Sequence, residues 1–203
     1  MEYNYLPAEL PTRAWEAFNA YKGDREVSLL LSVAWSAFVV PTERLDFLET
    51  NRGHHAGDSA LKDGVPKQLI DSWIDKKNES ISCLAKHEGI YTFTDREPLP
   101  AAGSSDWFGL MHKDTEPNPK PSYAELIAVM RHGLSHGNIW TDNKKSHVEN
   151  LYIANYPPNS SKPVKVLRIQ DCTLYGLVED FVVWYNECIR TTEIKKLLAS
   201  YKY

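Results

Sequence analysis

Between Ser122 and His136 the apolar residues Tyr123, Leu126, Ile127, Met130 and Leu134 recur at i, i+3 and i+4 spacing, which predicts one amphipathic helix. Its ends are marked too. Pro117, Pro119 and Pro121 exclude helix before Ser122, whose hydroxyl is placed to cap the next turn while Glu125 reaches back to complete a capping box. Gly137 and Asn138 supply a left-handed stop. At roughly 100° per residue the five apolar side chains share an arc of about 100°, the predicted core face.

Upstream, Pro11 and Thr12 open a short helix ending near Gly23. Asp24 caps the next helix, where Val27, Leu30, Leu31, Ala34, Trp35 and Phe38 form a stripe. Leu29, Val33 and Val39 make it apolar almost all round, as the central helix of a bundle requires. Pro41 breaks it, and Thr42 caps a third helix through Leu45 and Leu48. Residues 51–65, with Gly53, Gly57 and Gly64, read as a loop. Pro66 to about Leu84 reads as helix with Leu69, Trp73 and Ile81 inward. Between Pro98 and Pro121 lie 5 of the 12 prolines, so this stretch is an irregular excursion.

After His136 the period changes. Residues 151–154 and 164–169, separated by Pro157-Pro158-Asn159-Ser160-Ser161, read as two strands and a turn. Asp171 caps a last long helix carrying Leu174, Leu177, Val178, Phe181, Val182, Trp184 and Tyr185, and Thr192 starts a short terminal one. The predicted fold is therefore mainly α: a helical bundle with a small β-hairpin after the 122–136 helix, as a single domain over residues 1–203.

Composition narrows the function. A chain of 203 residues with 42% hydrophobic content suits one globular domain with a sizeable core. Its net charge of −4 excludes coating of nucleic acid by bulk charge, so any RNA affinity is local or depends on a dimeric groove. Cys83, Cys172 and Cys188 form neither a C-x-x-C pair nor an even set, which fits a reducing compartment and a core-filling role. Residues 1–7 lack the regions of a signal peptide. The longest apolar run, 29–40, is interrupted by Ser32 and Ser36 and is too short for a bilayer. A cytoplasmic protein without a membrane partner is expected.

The polar side of the 122–136 helix carries the chemistry. Arg131 stands at one border of that side, His132 and His136 at the other, and between them lie only Ala124, Ala128 and Ser135. Such a shallow strip accepts a phosphate or a second helix. The planar guanidinium of Arg131 suits phosphate oxygens, and His136 stands in the last turn, where the helix dipole favours imidazolium. These are parts for phosphodiester cleavage. If the substrate is RNA, its own 2′-hydroxyl attacks the phosphate, and the protein need only move protons and stabilise the phosphorane, with no metal or cofactor. Yet any helix of this size can carry an Arg and two His on its solvated face, and spacing does not separate the readings.

Other candidates are weaker. His132 and His136 have the spacing of two zinc ligands, but the glutamate of H-E-x-x-H and a third ligand are missing, so no metal site is assigned. His54-His55 reads as a solvated loop pair. Ser135 and Asn138 lie where a substrate on the strip would touch them. Lys144 and Lys145 guide phosphate or merely solubilise a turn, and Trp140 stacks on a base or anchors the core.

Arg, a polar residue, three more residues and His, followed by Gly-Asn on a late helix, resembles the signature of the HEPN superfamily, the higher eukaryote and prokaryote nucleotide-binding domains. Here it reads Arg131-His132-Gly133-Leu134-Ser135-His136. Residues 23–35 and 40–45 are similar to the opening helices of small bacterial and plasmid-encoded members. The resemblance implies that Arg131 and His136 are the catalytic pair and His132 the polar accessory, at a position where Asn or Asp is frequent. It further implies a metal-independent endoribonuclease working as a homodimer, of the toxin–antitoxin or phage-defence type. The implied partners are RNA, a second copy and an antitoxin such as a nucleotidyltransferase-like protein. The alternatives are a non-catalytic HEPN-like module binding RNA, nucleotide or a partner through the same groove, and a helical scaffold.

Overall fold

The computed structural model describes residues 6–21, 23, 27–39, 42, 67–93, 104–107, 109, 116–144, 147–156 and 163–189. The chain divides into two compact units, residues 1–78 with 176–203, and residues 79–175. The described elements are mainly helical, with one four-stranded antiparallel sheet.

The first unit holds α1 (Leu6–Ala20), α2 (Val27–Ala34), a π-helical turn (Trp35–Val39), α3 (Lys67–Asn78) and most of α5 (Asp171–Ile189). α1 does not open at Pro11; it runs through it, although proline has no N–H to donate to the preceding turn. In α2 the buried side chains are Leu30, Val33 and Ala34, continued by Ala37, Phe38 and Val39. The buried face is thus turned toward Val33 and Ala37, and Trp35 is 42% exposed instead of in the stripe. Ser32 and Ser36 donate their hydroxyls to the carbonyls four residues back (2.9 and 3.1 Å), a bond that competes with regular α winding where the π turn begins. The rings of Phe38 and Phe181 (4.9 Å between centroids) and of Trp73 and Phe181 (6.4 Å, edge to face) join the π turn, α3 and α5. The predicted α5 stripe is buried at Leu174, Leu177, Val178, Phe181, Val182 and Tyr185.

The second unit is built on the sheet, in the order β1-β4-β3-β2. Its strands are β1 (Gly89–Phe93), β2 (Ile139–Lys144), β3 (His147–Asn155) and β4 (Val164–Ile169). Segments 151–154 and 164–169 are neighbours as strands, but the sheet they belong to has twice the strands of a lone hairpin. The 67–84 helix is also shorter than predicted. α3 ends at Asn78, and Ile81 is buried from extended chain, its N–H donating to Pro121 O (2.9 Å) while Ser80 pairs with Ser122.

Both faces of the sheet are covered. Helix α4 (Tyr123–His136) packs on β3 and β4, over the face that carries Leu151, Ile153, Leu167 and Ile169. On the opposite face Tyr91, Tyr152, Ala154, Val164 and Val166 form a core with Trp107. The Cys residues do not fill cores: Cys83 and Cys172 are exposed and Cys188 is half-buried. Residues 43–48, the 51–65 loop with His54 and His55, Lys145 and the helix expected from Thr192 lie outside the described residues. Among the described residues no helix is long and apolar enough to cross a membrane.

Candidate active site

Three attachments hold α4 and so place the motif. At its start Ser122 Oγ accepts from Glu125 N–H (3.2 Å) and Glu125 accepts in return from Ser122 N–H (3.3 Å), the predicted capping box. The Tyr123 N–H, one of the orphan donors of a helix N-terminus, donates to Glu79 O at 3.0 Å. At its end Gly137 adopts the left-handed conformation (φ 67°), and the N–H of Asn138 donates to Gly133 O (2.9 Å). Asn138 O then accepts from Ala154 N–H (3.0 Å), so the chain leaves the helix already fastened to β3.

The third attachment is inside the motif. Gly133 faces β3, and a Cβ there would lie 2.2 Å from Ile153 Cγ2 and 3.3 Å from the Ala154 backbone. Only a residue without a side chain lets α4 come this close. The buried set is Tyr123, Leu126, Ile127, Val129, Met130 and Gly133, while Leu134 is only half-buried. That arc is about 160° wide instead of 100°. A sheet is broad enough to cover a helix surface that a neighbouring helix leaves open. Gly133→Ala is expected to cost about 1–3 kcal/mol in a denaturation experiment by overpacking. Adding Ile153→Ala removes the clashing methyl, so the double variant should be more stable than the sum of the two losses.

The covered arc leaves Arg131, His132, Ser135 and His136 on the outer side of α4. Arg131 and His132 are half-buried, and Ser135 and His136 are exposed. The two imidazoles stack, with ring centroids 6.0 Å apart and planes 22° from parallel. Burial holds His132 below the usual histidine value, and the positive charge of Arg131 and the neighbouring His136 push it the same way. Its surroundings therefore favour the neutral imidazole. Ala128 is exposed and Ala124 half-buried, so the small-residue strip beside Arg131 is open on the described surface.

Trp140 is not brought to this group. It pairs with Tyr152 on the sheet face turned away from α4, and its ring packs on Trp107 (5.1 Å) and Tyr156 (6.2 Å). That makes it a core anchor. Lys144 ends β2 opposite His147. Among the described residues, no three His, Cys, Asp or Glu side chains gather as metal ligands would.

Sequence reasoning overlooked Gly133 although the signal was present: an isolated glycine within a helical pattern costs about 1 kcal/mol against alanine, and a packing constraint is the usual reason for it. It also overlooked a polar cluster on the far face. A bulge between Thr141 and Asn143 aims Asp142 at Asn150 (2.6 Å to its N–H, 2.7 Å to its amide) and at the Tyr152 hydroxyl (3.1 Å). Burial first, with Asp142 as a further cause, pushes the Tyr152 phenol far above its usual value, so it stays a donor.

Arg131 and His136, five positions apart on the outer side of α4, have the spacing on which the resemblance to the HEPN superfamily rests. Residues 1–191 match the family described as HEPN pEK499 p136, and the chain belongs to it. No curated protein and no solved structure matches the chain.

Proposed function

We propose that the protein is a metal-independent endoribonuclease in which Arg131 binds the scissile phosphate and His136 transfers a proton. The observation that carries this reading is the placement of Arg131, His132 and His136 together on the outer side of a helix whose other side is locked to the sheet. In the reaction the 2′-oxygen of the RNA bonds to phosphorus, the bond from phosphorus to the 5′-oxygen breaks, and a proton passes from the first oxygen to the second. Arg131 offers fixed donors to the charge that grows on the phosphorane. Membership of the HEPN pEK499 p136 family supports the reading.

The working form is proposed to be a homodimer with two α4 helices facing each other across the strip of Ala124, Ala128 and Ser135. A chain of net charge −4 repels RNA, and a shared groove concentrates two copies of Arg131 where the phosphate must sit. A toxin or phage-defence role, and a nucleotidyltransferase-like antitoxin covering this groove, extend the proposal.

The test is incubation of the purified protein with labelled RNA in EDTA. Fragments ending in a 2′,3′-cyclic phosphate are expected, and a 2′-deoxy nucleotide at the cleavage position should stop the reaction. Products ending in 3′-hydroxyl groups, or cleavage only after a divalent metal is added, would refute this chemistry. No cleavage under any condition would favour the non-catalytic binding module.

A further inference from the structure

We infer that His132 is the general base of the reaction and His136 its general acid, an assignment that rests on the ribonuclease reading. His132 takes the proton of the 2′-hydroxyl as the new bond to phosphorus forms. His136 gives its proton to the 5′-oxygen as the old bond breaks. No proton is gained or lost by the pair in sum, and the products are a 2′,3′-cyclic phosphate and a 5′-hydroxyl.

The geometry carries this in three ways. First, in-line cleavage needs two proton-transfer groups on one phosphate, each within roughly 2.6–3.2 Å of its oxygen. Two imidazoles one helical turn apart, with centroids 6.0 Å apart and nearly parallel, can each reach one oxygen of a phosphate seated above the pair. Second, two rings this close disfavour double protonation, because each imidazolium raises the cost of the other. A pair that holds a single proton offers one acceptor and one donor on the same side of the helix. Third, the environments break the symmetry. His132 is half-buried, beside the fixed charge of Arg131, whereas His136 is exposed at the helix end. Burial and the Arg131 charge both favour neutral imidazole at His132. The ring that stays neutral is the one fitted to accept. His136, open to water, exchanges protons with solvent between turnovers.

The roles are separable by the leaving group. In RNA whose scissile 5′-oxygen is replaced by sulfur, the departing thiolate needs no proton, so loss of a general acid no longer matters while loss of the base still does. His136→Ala should cleave ordinary RNA at least about 100-fold more slowly than wild type, and should come within about tenfold of wild type on the 5′-thio substrate. His132→Ala should be slowed by about the same 100-fold on both substrates. His132→Asn keeps a polar planar group at the half-buried position and should behave the same way, which guards against a folding defect. Rescue of the His132 variants but not of His136→Ala would reverse the assignment, and unimpaired His132 variants would remove His132 from the chemistry. If wild type itself fails to cut ordinary RNA in EDTA, the ribonuclease reading falls and this assignment falls with it. If wild type cuts and Arg131→Ala does not, only the pattern of the histidine variants decides between the two roles.

Discussion

Arg131→Ala and His136→Ala should each slow RNA cleavage by about two to four orders of magnitude, with helical circular dichroism and unfolding midpoint close to wild type. Removal of a donor aimed at the phosphorane and removal of a proton-transfer group are each losses of this size. Neither side chain belongs to the core, since the arc that α4 buries is made by Tyr123, Leu126, Ile127, Val129, Met130 and Gly133. Arg131→Lys keeps the charge but not the planar fork, and should recover only part of the rate. Ala128→Arg puts a bulky charge on the exposed strip between the motif and the proposed partner helix, and should lower both dimer content in light scattering and cleavage. Wild-type rates in either alanine variant would end the catalytic assignment, and an Ala128→Arg variant that cuts normally would end the groove.

Glu88→Ala should destabilise the protein by about 1–3 kcal/mol, read as a lowered urea midpoint. Glu88 is 1% exposed, yet its carboxylate is well used. One oxygen accepts from the backbone N–H of Gln170 (2.7 Å), and the other accepts from the Ala85 N–H and the Thr173 hydroxyl (3.1 Å). These bonds tie the turn before β1 to the end of β4 and the start of α5. Truncation takes the charged acceptor from the Gln170 N–H and the Ala85 N–H, of which Gln170 is half-buried and Ala85 exposed, so water replaces part of what is lost. Glu88→Gln retains one acceptor but points amide hydrogens at a backbone N–H, so it should regain less than half of the loss. His87, which turns the chain through a left-handed conformation (φ 70°), should by contrast tolerate glycine. A loss below about 1 kcal/mol for Glu88→Ala would show that water or a shifted backbone replaces the carboxylate.

Elements whose causes are local could be read from the chain. The limits of α4 follow from three prolines, a reciprocal Ser122–Glu125 cap and a glycine able to turn left-handed, all within a few residues of the ends they mark. The α5 stripe is likewise a periodic signal that any apolar partner would bury. The strands β1 and β2 were not legible. Gly89–Phe93 is strand because β4 offers it an edge, and Ile139–Lys144, mostly polar, because β3 does. The same absence of a visible partner let the predicted α3 run on past Asn78 into chain that pairs with residues 121–123. Nor does Trp35 follow its stripe: the π turn and the rotated face of α2 depend on what packs around them.

For the site, the sequence by itself determined that Arg131, His132 and His136 share the outer side of one helix, because helical periodicity is a local property of fifteen residues. It also determined family membership, which the match over residues 1–191 bears out. Only the tertiary structure decided that a sheet lies beneath that helix, since strand pairing joins residues that are remote along the chain and leaves little trace in any one of them. It set the separation of α4 from β3 through the missing side chain of Gly133. It turned Trp140 to the far face, because the register Trp140–Tyr152 gives both rings the same side of the sheet. And it made the two histidines unequal, half-burying His132 and leaving His136 exposed at the end of the helix.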